Sequence, residues 1–148
     1  MMSVKRAQPK DVTRLAPLCL EYVRYEHALN SQVSVPNKVA MARSLRKELA
    51  KRDVAYMLAE DAGALLGFVH VSVRQQDHIG HIDAIFVRKI ARKRNVGKLL
   101  LSAALKFLKE HRVEIVKTFV PVANKQALSY WEHQFFKISG FELEKNIE

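Results

Sequence analysis

Between Ile79 and His111 the hydrophobic period changes once, from every second residue to every third and fourth, and the change falls in a run of cations. Ile79–Val87 alternates as a strand does, with Ile82, Ala84 and Phe86 expected on one face and His81, Asp83, Ile85 and Val87 on the other. Lys98–His111 repeats as a helix whose buried stripe is Leu100, Ala103, Ala104, Phe107 and Leu108. The residues RKIARKRNVG join the two. A strand that runs through a basic turn into an amphipathic helix belongs to an α/β layer. It also aims the unpaired N–H groups of the helix start at one point, which favours an anion.

The flanking segments extend this layer. Upstream, Val54–Ala59 and Leu65–Arg74 read as a hairpin around Glu60-Asp61-Ala62-Gly63, and with Ile79–Val87 they predict an antiparallel meander. Val4–Ala7 is a short strand, and Gln8-Pro9-Lys10-Asp11 carries the proline and the acid of a helix start. Val12, Leu15, Leu18, Cys19, Tyr22 and Val23 then mark a buried helical stripe running towards Leu29, with Pro17 expected to bend it. A connector, Asn30–Asn37, leads to a second helix, Lys38–Lys51. Downstream, Glu114–Val122 is expected to pair in parallel after a right-handed crossover. Asn124–Phe136 then predicts a helix and Phe141–Glu144 a last strand.

A chain of 148 residues has material for a single domain, 1–148. One cysteine, Cys19, excludes an internal disulfide, and no Cys and His array has metal-ligand spacing, so no metal is expected. The start lacks the apolar core of a signal peptide, and no apolar run approaches the roughly 18 residues of a membrane span, so the expectation is a soluble, cytoplasmic protein. The net charge of +10 favours an anionic partner. Six cations, Arg88, Lys89, Arg92, Lys93, Arg94 and Lys98, sit in the turn itself. Either they form a solvated face or they grip a polyphosphate.

The whole arrangement resembles the GNAT (Gcn5-related N-acetyltransferase) superfamily. Ile82-Asp83-Ala84-Ile85-Phe86-Val87 is similar to that family's central strand, I-[E/D]-x-[L/I]-[Y/F]-V. Arg92-Lys93-Arg94-Asn95-Val96-Gly97 is similar to its [R/Q]-x-x-G-x-[G/A] turn, with Asn95 at the first glycine. Asparagine is among the few residues that tolerate a left-handed backbone. Arg6-Ala7-Gln8-Pro9-Lys10-Asp11 resembles the opening motif. Asn124-Lys125-Gln126-Ala127, Tyr130-Trp131 and Gly140-Phe141 resemble the closing one, with Trp131 where tyrosine is usual and eight residues, Glu132–Ser139, where three are common.

The resemblance implies an α/β fold of the GNAT acyl-CoA acyltransferase type, a mixed, mainly antiparallel twisted sheet flanked by about four helices. It implies acetyl-CoA as co-substrate, with the pyrophosphate on the backbone of Arg92, Lys93, Arg94, Asn95, Val96, Gly97 and Lys98. The pantetheine arm would lie along Ile85, Phe86 and Val87, with Asn124 and Trp131 nearby. A lysine-like amine titrates near 10.4, so deprotonating it at pH 7 costs about 4–5 kcal/mol and calls for a base. The candidates are Asp83, His81 and ordered water. Tyr130 is the candidate acid for the leaving thiolate, and packing is its alternative role. Glu21 and Glu26, on the first helix, could bind a cationic acceptor or pair with neighbouring cations. Cys19 is expected in the core, and a homodimer is among the partners considered. The rival readings are a coenzyme-binding protein without catalysis and a basic nucleic-acid-binding module, which lacks support from interleaved aromatics.

Overall fold

Five strands form one sheet in chain order, β1 (Met2–Arg6), β2 (Val54–Asp61), β3 (Ala64–Arg74), β4 (Ile79–Val87) and β5 (Ile115–Thr118), in a computed structural model that describes residues 1–147. The first four pair antiparallel, and β5 joins β4 in parallel. The helices are α1 (Val12–Leu29), α2 (Lys38–Leu49), α3 (Val96–Glu110) and α4 (Lys125–His133). This is the expected mixed, mainly antiparallel α/β architecture with four helices.

Period-two alternation divides the core into two layers. Val69, Val71 and Val73 of β3 face α3, where they meet Leu100, Ala104, Phe107 and Leu108, with Trp131 of α4 in the same cluster. Phe68 faces the other way, onto Leu15, Leu18 and Cys19 of α1 and Leu45 of α2. Cys19 is a core residue, and burial pushes its thiol up to about 12, so it is inert at neutral pH. At the head of α1 the Gln8 N–H donates to Asp11 Oδ2 at 2.8 Å, while Lys5 and Arg14 each reach Asp11 Oδ1 at 3.1 Å. This network fixes where β1 turns into the first helix layer.

Several boundaries differ from expectation. α1 is continuous through Pro17, because the proline removes one N–H from a helix otherwise held by its buried stripe. α3 begins at Val96, two residues early, since Asn95 takes a left-handed conformation (φ 65°) that lets the helix start at once. β5 stops at Thr118 rather than Val122, because β4 leaves it beyond Ile82. α4 covers only Lys125–His133, and Phe141–Glu144 forms no strand, having no sheet edge beside it.

The alternation expected along β4 also breaks. His70 pairs with Ala84 and Val71 with Ile82, which leaves Asp83 as the extra residue of a β-bulge. Ile82 therefore packs with the α3 layer, whereas Ala84 and Phe86 pack with the α1 layer and Ile85 and Val87 with α3.

Candidate active site

The bulge at Asp83 coincides with the end of β4–β5 pairing at Ile82 and Thr118. Beyond that pair the two strands part, and the backbone of Asp83–Val87 becomes a free edge facing Thr118–Pro121. A cleft of about 270 Å³ opens there. Its floor is β4, one end is the start of α3, and the other is α1.

At the α3 end the turn supplies unpaired donors. Among the described residues, none of the backbone N–H groups from 93 to 98 donates a hydrogen bond to the protein, and the first helical bond runs from Leu99 N–H to the Asn95 carbonyl at 3.1 Å. Lys93 and Asn95 both have positive φ, 66° and 65°, which folds the turn into a concave run of amides. Gly97 lines the cleft. A Cβ there would meet nothing nearer than Tyr130 Oη at 3.8 Å and Val87 Cγ2 at 3.9 Å, so the absent side chain leaves open space against the helix start.

The side chains of the turn divide their work. Arg92 donates from Nε to the Val87 carbonyl at 3.2 Å, which ties the turn to the end of β4, and it lines the cleft. Arg94 reaches away to Asp61 at 2.8 Å and is committed to the β2–β3 hairpin. Val96 is buried in the α3 layer, where it contributes its amide and not its side chain. Lys93 and Lys98 are exposed beside the turn.

α4 brings two aromatics to the same end. Asn124 caps it, accepting from Ala127 N–H at 3.1 Å, and borders the cleft. Tyr130 turns its hydroxyl towards Gly97, and burial raises its pKa, so it holds its proton through neutral pH. Trp131 is buried between Tyr130 and Phe136, with ring centroids at 5.1 and 4.8 Å, and also lines the cleft.

The α1 end is acidic and aromatic. Asp83 Oδ2 accepts from Ser72 Oγ at 2.7 Å and lies 3.8 Å from His70 Nε2. That imidazole stacks on Tyr56 at 4.2 Å and has no hydrogen-bond partner at Nε2. Burial, outweighing the pull of Asp83, lowers its pKa and keeps it neutral. Glu26 accepts a hydrogen bond from Tyr22 Oη, and both line the cleft with Tyr25 and Phe86. Tyr22 packs edge-on against Phe68 and Phe86, each at 5.8 Å. This end can hold a cation between two carboxylates and several ring faces.

The structure thus gathers Asp83, Tyr130, Glu26, Asn124, Gly97, Arg92 and the edge Ile85-Phe86-Val87 around one cleft. His81 falls outside it, paired across the sheet with Ser72 and Lys117. Glu21 is elsewhere too, held by Arg88 at 2.9 Å. His70, Tyr22, Tyr25 and Phe119 carry no site role in the sequence reading. His70 shares a face with Ser72 in the period-two pattern of β3, but only the cross-strand register brings it to Asp83.

The sequence profile of the acetyltransferase (GNAT) family matches residues 21–136. An uncharacterised N-acetyltransferase of Methanocaldococcus jannaschii is 33% identical over 116 residues, 74% of this chain and 49% of that protein. The mycothiol acetyltransferase of Streptomyces avermitilis is 32% identical over 81 residues, 55% of this chain and 26% of the other. The chain therefore matches about half the length of the first relative and about a quarter of the second. An aminoglycoside N-acetyltransferase solved in complex with CoA shares the fold, with a TM-score of 0.82 at 15% identity over 99% of this chain and 95% of that one.

Proposed function

The chain belongs to the acetyltransferase (GNAT) family, and from that premise we propose that it carries an acetyl group from acetyl-CoA to a cationic primary amine by direct attack in a ternary complex. The observation that carries this reading is the parting of β4 and β5 in front of the unpaired amides at the α3 start. Those amides, from Lys93 to Lys98, receive the pyrophosphate, with the positive end of the helix behind them. The free edge of Ile85–Val87 pairs with the amide-bearing pantetheine arm, and Asn124 and Trp131 border it from α4. The solved relative bound to CoA supports the choice of coenzyme.

At the acceptor end, Glu26 and Asp83 draw in the ammonium form of the amine, and Tyr22, Tyr25 and Phe86 cover its carbon chain. Asp83, directly or through a water, takes the proton from nitrogen. The nitrogen then forms its bond to the thioester carbonyl, and the carbon–sulfur bond breaks as the tetrahedral intermediate collapses. Tyr130 gives its proton to the departing sulfur and is reprotonated by the second proton that the nitrogen sheds as the amide forms. Ser72, donating to Asp83, orients the carboxylate, and His70 backs it.

Calorimetric titration with acetyl-CoA, followed by thiol release over a panel of amines, tests this. The wild-type chain should bind and release thiol with diamines or similar cations, and Gly97→Glu, which fills the space before the helix start with a negative side chain, should not bind. Absence of binding by the wild-type chain overturns the reading. Binding without thiol release from any amine leaves a coenzyme-binding protein in its place.

A further inference from the structure

Asp83 is the sole carboxylate of β4, and its two protein partners meet it on the same oxygen. Oδ2 accepts from Ser72 Oγ at 2.7 Å and faces His70 Nε2 at 3.8 Å. Among the described residues Oδ1 has no partner, and Asp83 lines the cleft. The carboxyl group thus keeps one oxygen for the acceptor amine and turns the other into the protein.

Behind it, His70 Nε2 is closed to solvent and makes no hydrogen bond. Neither His70 nor Ser72 lines the cleft, so a proton from the acceptor reaches that nitrogen by way of Asp83. Tyr56 of β2 fixes the imidazole plane, stacking on it at 4.2 Å and 9°. An aromatic face in that position favours a cation. The charged groups that bear on the ring are Asp83 and Glu48 of α2, which favour its protonation, and Lys51 just past that helix, which opposes it. Burial outweighs them and leaves the imidazole neutral at rest, free to accept a proton.

We propose that His70 stores the proton that Asp83 removes from the acceptor, a role that rests on the function proposed above and extends it. Oδ1 first takes a proton from the ammonium group. A half-turn about Cβ–Cγ, a soft two-fold torsion in aspartate, brings the new O–H round to Nε2, and a movement of about 1 Å closes the gap to hydrogen-bond length. The O–H bond then breaks as an N–H bond forms on Nε2, and an imidazolium–carboxylate pair replaces two neutral groups. This requires the tautomer with its ring proton on Nδ1. While the proton rests there, the amine lone pair faces a carboxylate and not a carboxylic acid that would hand the proton back. Imidazoles titrate near 6.5 in water and aspartate-type carboxylates near 3.9, so the two together are a stronger base than the carboxylate alone. Once the products leave, the proton returns through Asp83 to water. The exchange of Tyr130 between nitrogen and sulfur is separate from this one.

His70 acts through Asp83 and touches no substrate, so its mark is a defect that depends on the charge of the acceptor. Thiol release from acetyl-CoA with 1,4-diaminobutane, followed at pH 7 and at pH 9.5, reads it. His70→Gln keeps a hydrogen-bonding side chain beside Asp83 but stores no proton. It should lower kcat about tenfold or more at pH 7, and the deficit should shrink several-fold at pH 9.5, where more of the amine arrives neutral. Ser72→Ala removes only an orienting hydrogen bond, so its deficit should be the same at both pH values. Unchanged calorimetric affinity for acetyl-CoA shows that each variant is folded. A His70→Gln deficit of equal size at both pH values, or none at all, overturns the proposal and leaves Asp83 as the base. Full turnover by Asp83→Asn, or no thiol release by the wild-type chain from this or any amine of the panel, overturns it together with the function on which it rests.

Discussion

Tyr130 Oη and the open space at Gly97 face each other across the mouth of the cleft. As the proposed acid, Tyr130 should matter to turnover more than to binding, so Tyr130→Phe is expected to lower kcat by about 10²-fold or more with little change in coenzyme affinity. Its raised pKa places deprotonation above the ordinary tyrosine value near 10, so the alkaline fall in kcat assigned to this group should lie above that pH, and a kcat profile to pH 10.5 checks it. Asp83→Asn should cost kcat a similar factor. Asp11 tests stability instead. Burial opposes its ionisation, but the Gln8 N–H, Lys5 and Arg14 outweigh burial and lower its pKa. Its stabilising effect is therefore complete above the unfolded carboxylate value near 3.9 and is lost as pH falls through the lower folded value. Asp11→Ala should remove about 3 kcal/mol at pH 7, read by urea denaturation. Helical spacing alone put Glu21 and Glu26 on one segment, yet Arg88, 67 residues away, claims Glu21 and leaves Glu26 to the cleft. Likewise His81 is the histidine nearest Asp83 along the chain, and His70 is the one beside it in space.

Strands and helices were legible where their pattern met a partner. The second half of β3 alternates, β2 and β4 are apolar-rich runs bounded by turns, and the stripes of α1 and α3 are regular, so their existence followed from local pattern. The misread elements are those whose limits depend on a neighbour. β5 ends where β4 departs, and Phe141–Glu144 has the pattern of a strand but pairs with none of the five. The turn after α4 yields a prediction at this scale. Phe135 holds a left-handed backbone while 96% exposed, so it has strain to lose and almost no packing. Phe135→Gly should stabilise the chain by about 1 kcal/mol, measured as a shift in the urea midpoint with unchanged slope.

For the molecule as a whole, the order of elements carried the fold, because a meander followed by a basic turn, a helix and a parallel strand leaves few ways to close a sheet. The surplus of ten cations said only that an anion is welcome. It did not reveal that Arg94 and Arg88 are occupied by Asp61 and Glu21 while the turn amides stay free. Since part of the attraction is long-range, coenzyme affinity should weaken as salt rises from 50 to 200 mM, and titration at both strengths reads it. The bulge at Asp83 has one more effect. Because it shifts β4 by a single residue, even-numbered positions answer to α3 before it and odd-numbered ones after it. A saturation library across 79–87, scored for folded yield, should show its tolerance for polar residues jump phase at position 83. Deleting that one codon would return the strand to a uniform frame with Ala84 and Phe86 still towards α1, so the chain should fold while losing the Asp83 carboxylate from the cleft.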